Sequence, residues 1–149
     1  MFQWSYQEVV AFSGEAEALW RWWSTPERWP QWDAELDWVR LDGPFAVSAK
    51  GRMKPKAGPE VGFEITRADA PFRFTSRARL PLTVMEFDHV HEPASERAPA
   101  FIRHTVVMRG MLAPLFGRLI GRSIQAHLKS AIEKLARCAE TMPAGPPLA

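Results

Sequence analysis

The spacing of hydrophobic and polar positions divides the chain into three parts, of which the first combines a strand with two short helices. Phe2–Phe12 alternates and is rich in β-branched and aromatic residues, which predicts a strand. Ser13 can cap a helix, and Thr25 followed by Pro26 is typical of the start of a second one. The helical spacing of the first helix predicts a buried stripe made of Ala16, Leu19, Trp20 and Trp23.

A two-residue period then runs from Leu36 to Gly110 and predicts six further antiparallel strands. Sequences rich in glycine, proline and aspartate separate them and favour turns. The predicted strands are Leu36–Asp42, Val47–Pro55, Glu60–Arg67, Phe72–Leu80, Thr83–His91 and Ala100–Arg109.

The helical period returns from Pro114 to Thr141 and predicts one long amphipathic helix, whose apolar stripe needs a sheet to cover it. Gly117 and Gly121 are spaced so that the start of this helix can lie close to the sheet. The stripe consists of Leu115, Leu119, Ile120, Ile124, Leu128, Ala131, Ile132 and Leu135.

This order of elements predicts an α+β fold in which a curved antiparallel sheet of seven strands wraps around a long C-terminal helix. With the segments LWRWWSTPERWPQWDAEL, LDGPF…GRM and IRHTVVMRGMLAPLFGRLI, the chain resembles the START-like (SRPBCC) superfamily of Bet v 1-like helix-grip proteins. Within that superfamily it is most similar to the polyketide cyclase/dehydrase-like group. The resemblance implies a cavity between sheet and helix that holds a hydrophobic or aromatic small molecule. In some members such a cavity performs ring closure or dehydration.

Composition and charge narrow the classes of protein. The 149 residues predict a single domain, 1–141, and the proline-rich end, 142–149, predicts a disordered tail. A net charge of +2 is too small to indicate nucleic-acid binding without a clustered patch. No apolar run is long enough to span a bilayer, and no secretory signal is visible, so we expect a cytoplasmic protein. The single cysteine excludes an internal disulfide, no cofactor motif is present, and we expect a monomer or a homodimer.

Histidines carry the candidate chemistry. A hairpin that pairs His91 with Ile102 also places His89 opposite His104, with the two side chains on one face. In one hypothesis His89 and His104 are catalytic, acting as acid and base in cyclisation or dehydration. In a second, three histidines bind zinc, but no carboxylate shares their face, and we predict no metal. In a third, they hydrogen-bond to backbone or water and set the polarity of the cavity.

The primary functional hypothesis is the binding of a hydrophobic or aromatic small molecule, lipid-like or polyketide-like. One alternative is a cyclase or dehydratase that uses the two histidines. Another is an interaction module with a filled cavity, in which the basic outer face of the sheet docks a protein or RNA. The predicted ligand-binding residues are Phe63, Ile65, Phe72, Phe74, Met85, Phe87, Val106, Met108, Ile124, His127 and Leu128.

Six of the seven tryptophans lie between Trp20 and Trp38. A platform on which bases stack requires exposed aromatic rings interleaved with basic residues, and Arg21 and Arg28 are the only basic residues between Trp20 and Trp32. We therefore interpret the tryptophans as the apolar corner where two short helices close one end of the sheet.

Overall fold

The computed structural model describes residues 2–141, and the segment predicted as a disordered tail, 142–149, lies outside them. Within the described residues, seven strands form one antiparallel sheet in the order β1-β7-β6-β5-β4-β3-β2. The strands are β1 Gln3–Ala11, β2 Leu36–Asp42, β3 Lys50–Pro55, β4 Val61–Asp69, β5 Arg73–Leu80, β6 Thr83–Glu92 and β7 Phe101–Gly110. The helices are α1 Ala16–Trp23, a 3-10 helix Pro26–Gln31, α2 Ala113–Leu119 and α3 Gly121–Thr141. The predicted α+β helix-grip arrangement is confirmed.

The sheet is covered by two different layers. Helix α3 lies against β1 and β7. Tryptophans from α1 and the 3-10 helix cover the middle of the sheet: the ring centroids of Trp23 and Trp29 lie 5.6 Å and 5.8 Å from that of Phe74 on β5. Trp29 also packs 5.7 Å from Phe63 on β4. These two rings are therefore apolar core, as interpreted for the tryptophan segment, and they lie over the central strands of the sheet.

The buried stripe of α1 differs from the prediction. The buried residues are Ala18, Leu19, Trp22 and Trp23, whereas Ala16 and Trp20 are only partly buried. Helix α1 contacts both α3 and the 3-10 helix, so its buried face is rotated towards Trp22. Trp20 instead packs its ring 5.7 Å from that of Phe45, in the loop after β2.

The predicted long helix is interrupted, because α2 ends at Leu119 and α3 begins at Gly121. At this break Trp4 of β1 lies against two glycines: a Cβ atom on Gly117 or Gly121 would come within 2.7 Å or 2.6 Å of its indole. The predicted close approach of helix and sheet is thus correct. The predicted stripe is wrong for two of its members, Leu115 and Leu119, which are exposed on the outer side of α2.

Strand β3 begins three residues later than predicted. Val47 is exposed, and Ser48 has a φ of +76°, a left-handed conformation that does not continue a strand. Its amide nevertheless donates to the carbonyl of Ile65, so the loop stays attached to β4.

Candidate ligand-binding site

Two histidines face each other inside the sheet. The register of β6 and β7 pairs His89 with His104, and it also pairs His91 with Ile102, as the hairpin pattern predicts. The two rings are buried and their centroids are 4.5 Å apart at an interplanar angle of 74°. The structure therefore brings the two candidate catalytic residues into direct contact.

Aromatic rings enclose this pair. The ring of His89 stacks on that of Phe74 at 3.8 Å and 6°, and its Nδ1–H donates to the carbonyl of Phe74 at 3.3 Å. That hydrogen bond fixes the Nδ1–H tautomer of His89. The ring of His104 lies 6.1 Å from Trp23 and 5.8 Å from Trp32. The pair is thus held in a buried aromatic environment.

This environment keeps both imidazoles neutral. Burial lowers the pKa of His89 from 6.5 to about 4, although the hydrogen bond to Phe74 acts in the opposite direction. Burial, and secondarily the neighbouring His89, hold the pKa of His104 well below its usual value. At neutral pH the pair supplies hydrogen-bonding groups and carries no positive charge.

His91 lies apart from the pair. Its ring packs between Phe12, at 5.1 Å, and Phe72, at 5.6 Å, and both of its nitrogens are buried without a hydrogen-bond partner. Within residues 2–141, no group of three or more histidine, cysteine, aspartate or glutamate side chains is arranged to hold a metal ion.

Several predicted ligand-binding residues are packed too tightly to line open space. Ile65, Phe74 and Met108 expose 0% of their surface and Val106 exposes 1%, so no void that could hold a water molecule touches the first three. Phe63 and Met85 are also buried. Trp23, Trp29 and Phe45 pack against this part of the sheet, so these predicted residues belong to the core.

Two other predicted residues, Phe72 and His127, are exposed, unlike the rest of the predicted set. Phe72 is 42% exposed in the turn before β5, where its amide donates to the carbonyl of Asp69. The half-exposed imidazole of His127 lies 3.0 Å from the carboxylate of Glu35, across the outer surface of α3. Because one residue turns a helix by about 100°, its neighbour Leu128 faces inwards while His127 does not.

The remaining three predicted residues combine an inward position with accessible surface. Phe87 on β6 and Ile124 and Leu128 on α3 are half-buried and pack against the same small core as Met85 and Met108. We call this set of three partly accessible apolar side chains the apolar groove. Phe87 pairs with Val106, so the groove lies one row of side chains from the histidine pair.

Exposed apolar residues gather at one end of the sheet, near the groove. The amide of Met111 donates to the carbonyl of Leu82 at 3.0 Å, which joins the turn after β5 to the start of α2. We call this set of exposed side chains the apolar rim, which consists of Leu82, Met111, Leu115 and Leu119. Large exposed apolar side chains that gather in one place are unusual on a monomer and mark binding surfaces.

Solved structures share this architecture. Norcoclaurine synthase from Thalictrum flavum, in complex with dopamine and hydroxybenzaldehyde, aligns with a TM-score of 0.71 at 11% identity, covering 97% of this chain and 90% of that one. Ara h 8.0201 aligns with a TM-score of 0.68 at 12% identity, covering 95% and 100%. The chain shares the helix-grip fold of these structures. The di-domain ARO/CYC StfQ from the steffimycin biosynthetic pathway aligns with a TM-score of 0.74 at 10% identity, covering 93% of this chain and 51% of that one.

No protein-family model and no curated protein sequence matches the chain. Among the described helices of this helix-grip domain, none is both long and apolar enough to cross a membrane.

Polar atoms inside the helix-grip domain form a feature that hydropathy does not reveal. Nε1 of Trp23, Nε1 of Trp32 and Nε2 of His104 are buried and have no hydrogen-bond partner. By contrast, Nε1 of Trp29 donates to the carbonyl of Trp23 at 3.0 Å. We call the three unpartnered nitrogens the polar node. The rings of Trp23 and Trp32 both pack against that of His104, which lies one row of side chains from Phe87 of the apolar groove.

The outer face of the sheet is not a continuous basic surface. Across four strands the register aligns Lys50, Glu64, Arg77 and Glu86, so the signs of charge alternate. Arg73 forms a two-fold hydrogen-bonded ion pair with Asp88 at 3.0 Å and 2.9 Å. These carboxylates divide the positive charge on which the hypothesis of RNA or protein docking depends.

Proposed function

We propose that this helix-grip domain binds an apolar or aromatic small molecule in the apolar groove between β6 and α3. The observation that supports this most directly is the partial exposure of three side chains that pack against the core: Phe87, Ile124 and Leu128. Ligand sites in proteins are typically concave, mostly apolar and supplied with a few convergent polar groups. The groove provides the apolar walls, and the polar node provides the polar groups.

The electrostatics favour binding over acid–base catalysis. A general acid or base works best when its pKa lies near the operating pH. With a pKa of about 4, only about one His89 in a thousand is protonated at neutral pH, and the neutral ring is a weak base. Both histidines therefore suit hydrogen bonding to a ligand better than proton transfer.

The structural neighbours support a small-molecule ligand of this kind. The norcoclaurine synthase structure holds dopamine and hydroxybenzaldehyde, both aromatic molecules, within the same fold. StfQ is an ARO/CYC protein of a biosynthetic pathway. In this chain the tryptophan layer fills the middle of the sheet, so we place the ligand nearer to the N-terminal half of α3.

A fluorescence titration tests the proposal. N-phenyl-1-naphthylamine, which brightens in apolar surroundings, is added to the full chain, and the enhancement is measured for the wild type and for Leu128→Gln. We expect saturable binding to the wild type and roughly fivefold weaker binding to the variant, because part of one leucine contact is lost.

A matched variant separates the groove from the surface beside it. Leu119→Gln makes the same change in the apolar rim, on the outer side of α2. We expect it to bind the probe as the wild type does. Absence of saturable enhancement, or weaker binding in Leu119→Gln but not in Leu128→Gln, contradicts the proposal and assigns the probe to the rim. Native mass spectrometry of the purified protein, with a search for a co-purified small molecule, then identifies the natural ligand.

A further inference from the structure

The polar node destabilises the folded protein unless a hydrogen-bond partner occupies it. Trp23, Trp32 and His104 are at least nine-tenths buried, and each holds a nitrogen with no partner. Buried polar groups in proteins almost always have a hydrogen-bond partner, and those that lack one are destabilising. The three groups belong to neighbouring rings that pack at His104, which makes a bound molecule a candidate partner for them.

The chemistry of the three nitrogens restricts what that partner is. An indole Nε1–H donates and never accepts, so two of the three groups require an acceptor. A neutral imidazole nitrogen adds a third hydrogen bond as donor or acceptor, according to its tautomer. An oxygen with two lone pairs, such as that of a carbonyl group, satisfies two donors at once.

Charge restricts the partner further. The buried polar side chains of the described residues are Ser76, Thr83, His89, His91 and His104, and they include no lysine or arginine. An anion that enters this region loses its hydration and gains no opposite charge, which is strongly unfavourable. An uncharged oxygen avoids that penalty.

The groove and the node adjoin each other on the sheet. Phe87 and His89 are successive inward positions of β6, about 7 Å apart along the strand, and Leu128 packs against both halves of the core. A ligand whose apolar body lies in the groove therefore reaches the node with one end. Some side chains around the node must move to admit it, and the hydrogen bonds that form favour that movement.

We infer that the ligand is an uncharged apolar molecule with a carbonyl-type oxygen at its buried end, which the indole N–H groups of Trp23 and Trp32 and the ring of His104 receive. This inference rests on the proposed function, because it assumes that the groove holds the apolar body. It adds the chemical class of the ligand and the residues that select it.

A matched pair of probes tests the class. 2-Acetylnaphthalene and 2-ethylnaphthalene have nearly the same shape, but only the former carries a carbonyl group. A groove without donors prefers the ethyl compound, since the ketone leaves its hydrogen bonds to water unreplaced. We expect the opposite order by isothermal titration calorimetry, with the ketone bound roughly fivefold more tightly. We expect 2-naphthoate, which is anionic, to bind more weakly than the ketone.

A pair of variants tests the residues. Trp32→Phe removes one node N–H and keeps an aromatic ring. Trp22→Phe is its control, because the Trp22 Nε1 is also buried and unpartnered, while its ring lies 6.0 Å from the guanidinium of Arg28. The carbonyl stretching frequency of bound 2-acetylnaphthalene reports the hydrogen bond directly. We expect Trp32→Phe to raise that frequency and to reduce the preference for the ketone, and Trp22→Phe to change neither.

The outcomes separate the two proposals. If 2-ethylnaphthalene binds as tightly as the ketone or more tightly, or if Trp32→Phe leaves the carbonyl frequency unchanged, the inference is wrong and binding in the groove stands. If neither naphthalene nor N-phenyl-1-naphthylamine binds, the proposed function is wrong and the inference fails with it.

Discussion

Acid should destabilise this protein through its buried histidines, and His89 allows the size of the effect to be worked out. In the folded state burial holds the pKa of His89 near 4, whereas in the unfolded chain it returns to its ordinary value of 6.5. Between these two values the unfolded chain binds a proton that the folded protein does not. The free energy of unfolding therefore falls as the pH drops from 6.5 to about 4, and the contribution of His89 is fully present above that window.

The magnitude follows from the same two values. Because one pH unit corresponds to about 1.36 kcal/mol, a pKa moved from 6.5 to about 4 contributes about 3 kcal/mol. Burial lowers the pKa values of His104 and His91 as well, so both act in the same direction. Since small domains have about 5–15 kcal/mol of stability in total, the loss is a large fraction of it.

The assay compares the wild type with His89→Asn by urea unfolding, followed by tryptophan fluorescence, between about pH 7.5 and about pH 4.5. The asparagine amide lies where Nδ1 lies and can still donate to the Phe74 carbonyl, but it does not titrate. We expect the variant to be less stable at neutral pH, because it loses the ring stacked on Phe74, and to lose less stability on acidification. Contributions of carboxylates are common to both proteins and cancel in the difference. Parallel pH dependences of the two proteins would refute the assignment of His89 as a buried neutral group.

Three further substitutions test the packing. Gly121→Ala places a methyl group against the indole of Trp4 and should lower the free energy of unfolding by about 1–3 kcal/mol. In a Trp4→Ala background the same change should be neutral or stabilising, because the clash is gone and alanine favours a helix. Urea unfolding of the wild type, both single variants and the double variant measures the two effects. Gly110→Ala should lower the free energy of unfolding by about 2 kcal/mol or more, because Gly110 has a φ of +140° and a Cβ atom there would lie 2.3 Å from a backbone oxygen. Thermal unfolding measures this change, and a smaller loss of stability contradicts the clash. His127→Ala removes the surface contact between the imidazole and the Glu35 carboxylate and should lower the free energy of unfolding by less than about 1 kcal/mol, with N-phenyl-1-naphthylamine binding unchanged. Loss of probe binding would instead place His127 in the site.

The pairing of the histidines could be predicted because register and burial are coupled in a sheet. A shift of one residue would move every apolar side chain of β6 to the outer face, so matching apolar with apolar positions fixes His89 opposite His104. The break between α2 and α3 could not be predicted in the same way. It depends on where Trp4 of a distant strand lies, and the helical period around Gly117 and Gly121 continues through it.

The assignment of site residues shows a similar limit. Alternation and helical spacing identify which side chains face inwards, and for Phe87, Ile124 and Leu128 this is correct. They carry no information on how much of the interior other side chains already fill. Trp23 and Trp29 arrive from separate helices and occupy the space over Phe74, so a residue that faces inwards there is core.

The tryptophans show why the polar node in particular had no sequence signal. Hydropathy gives an indole one value, yet the ring has apolar faces and a single donor whose partner depends on orientation. Trp29 has its donor satisfied by the Trp23 carbonyl at 3.0 Å, and it acts only in packing. Trp23 and Trp32 are just as buried but lack an acceptor. Residues of one type within ten positions thus divide into packing groups and candidate binding groups, and only the arrangement of acceptors in the folded chain separates them.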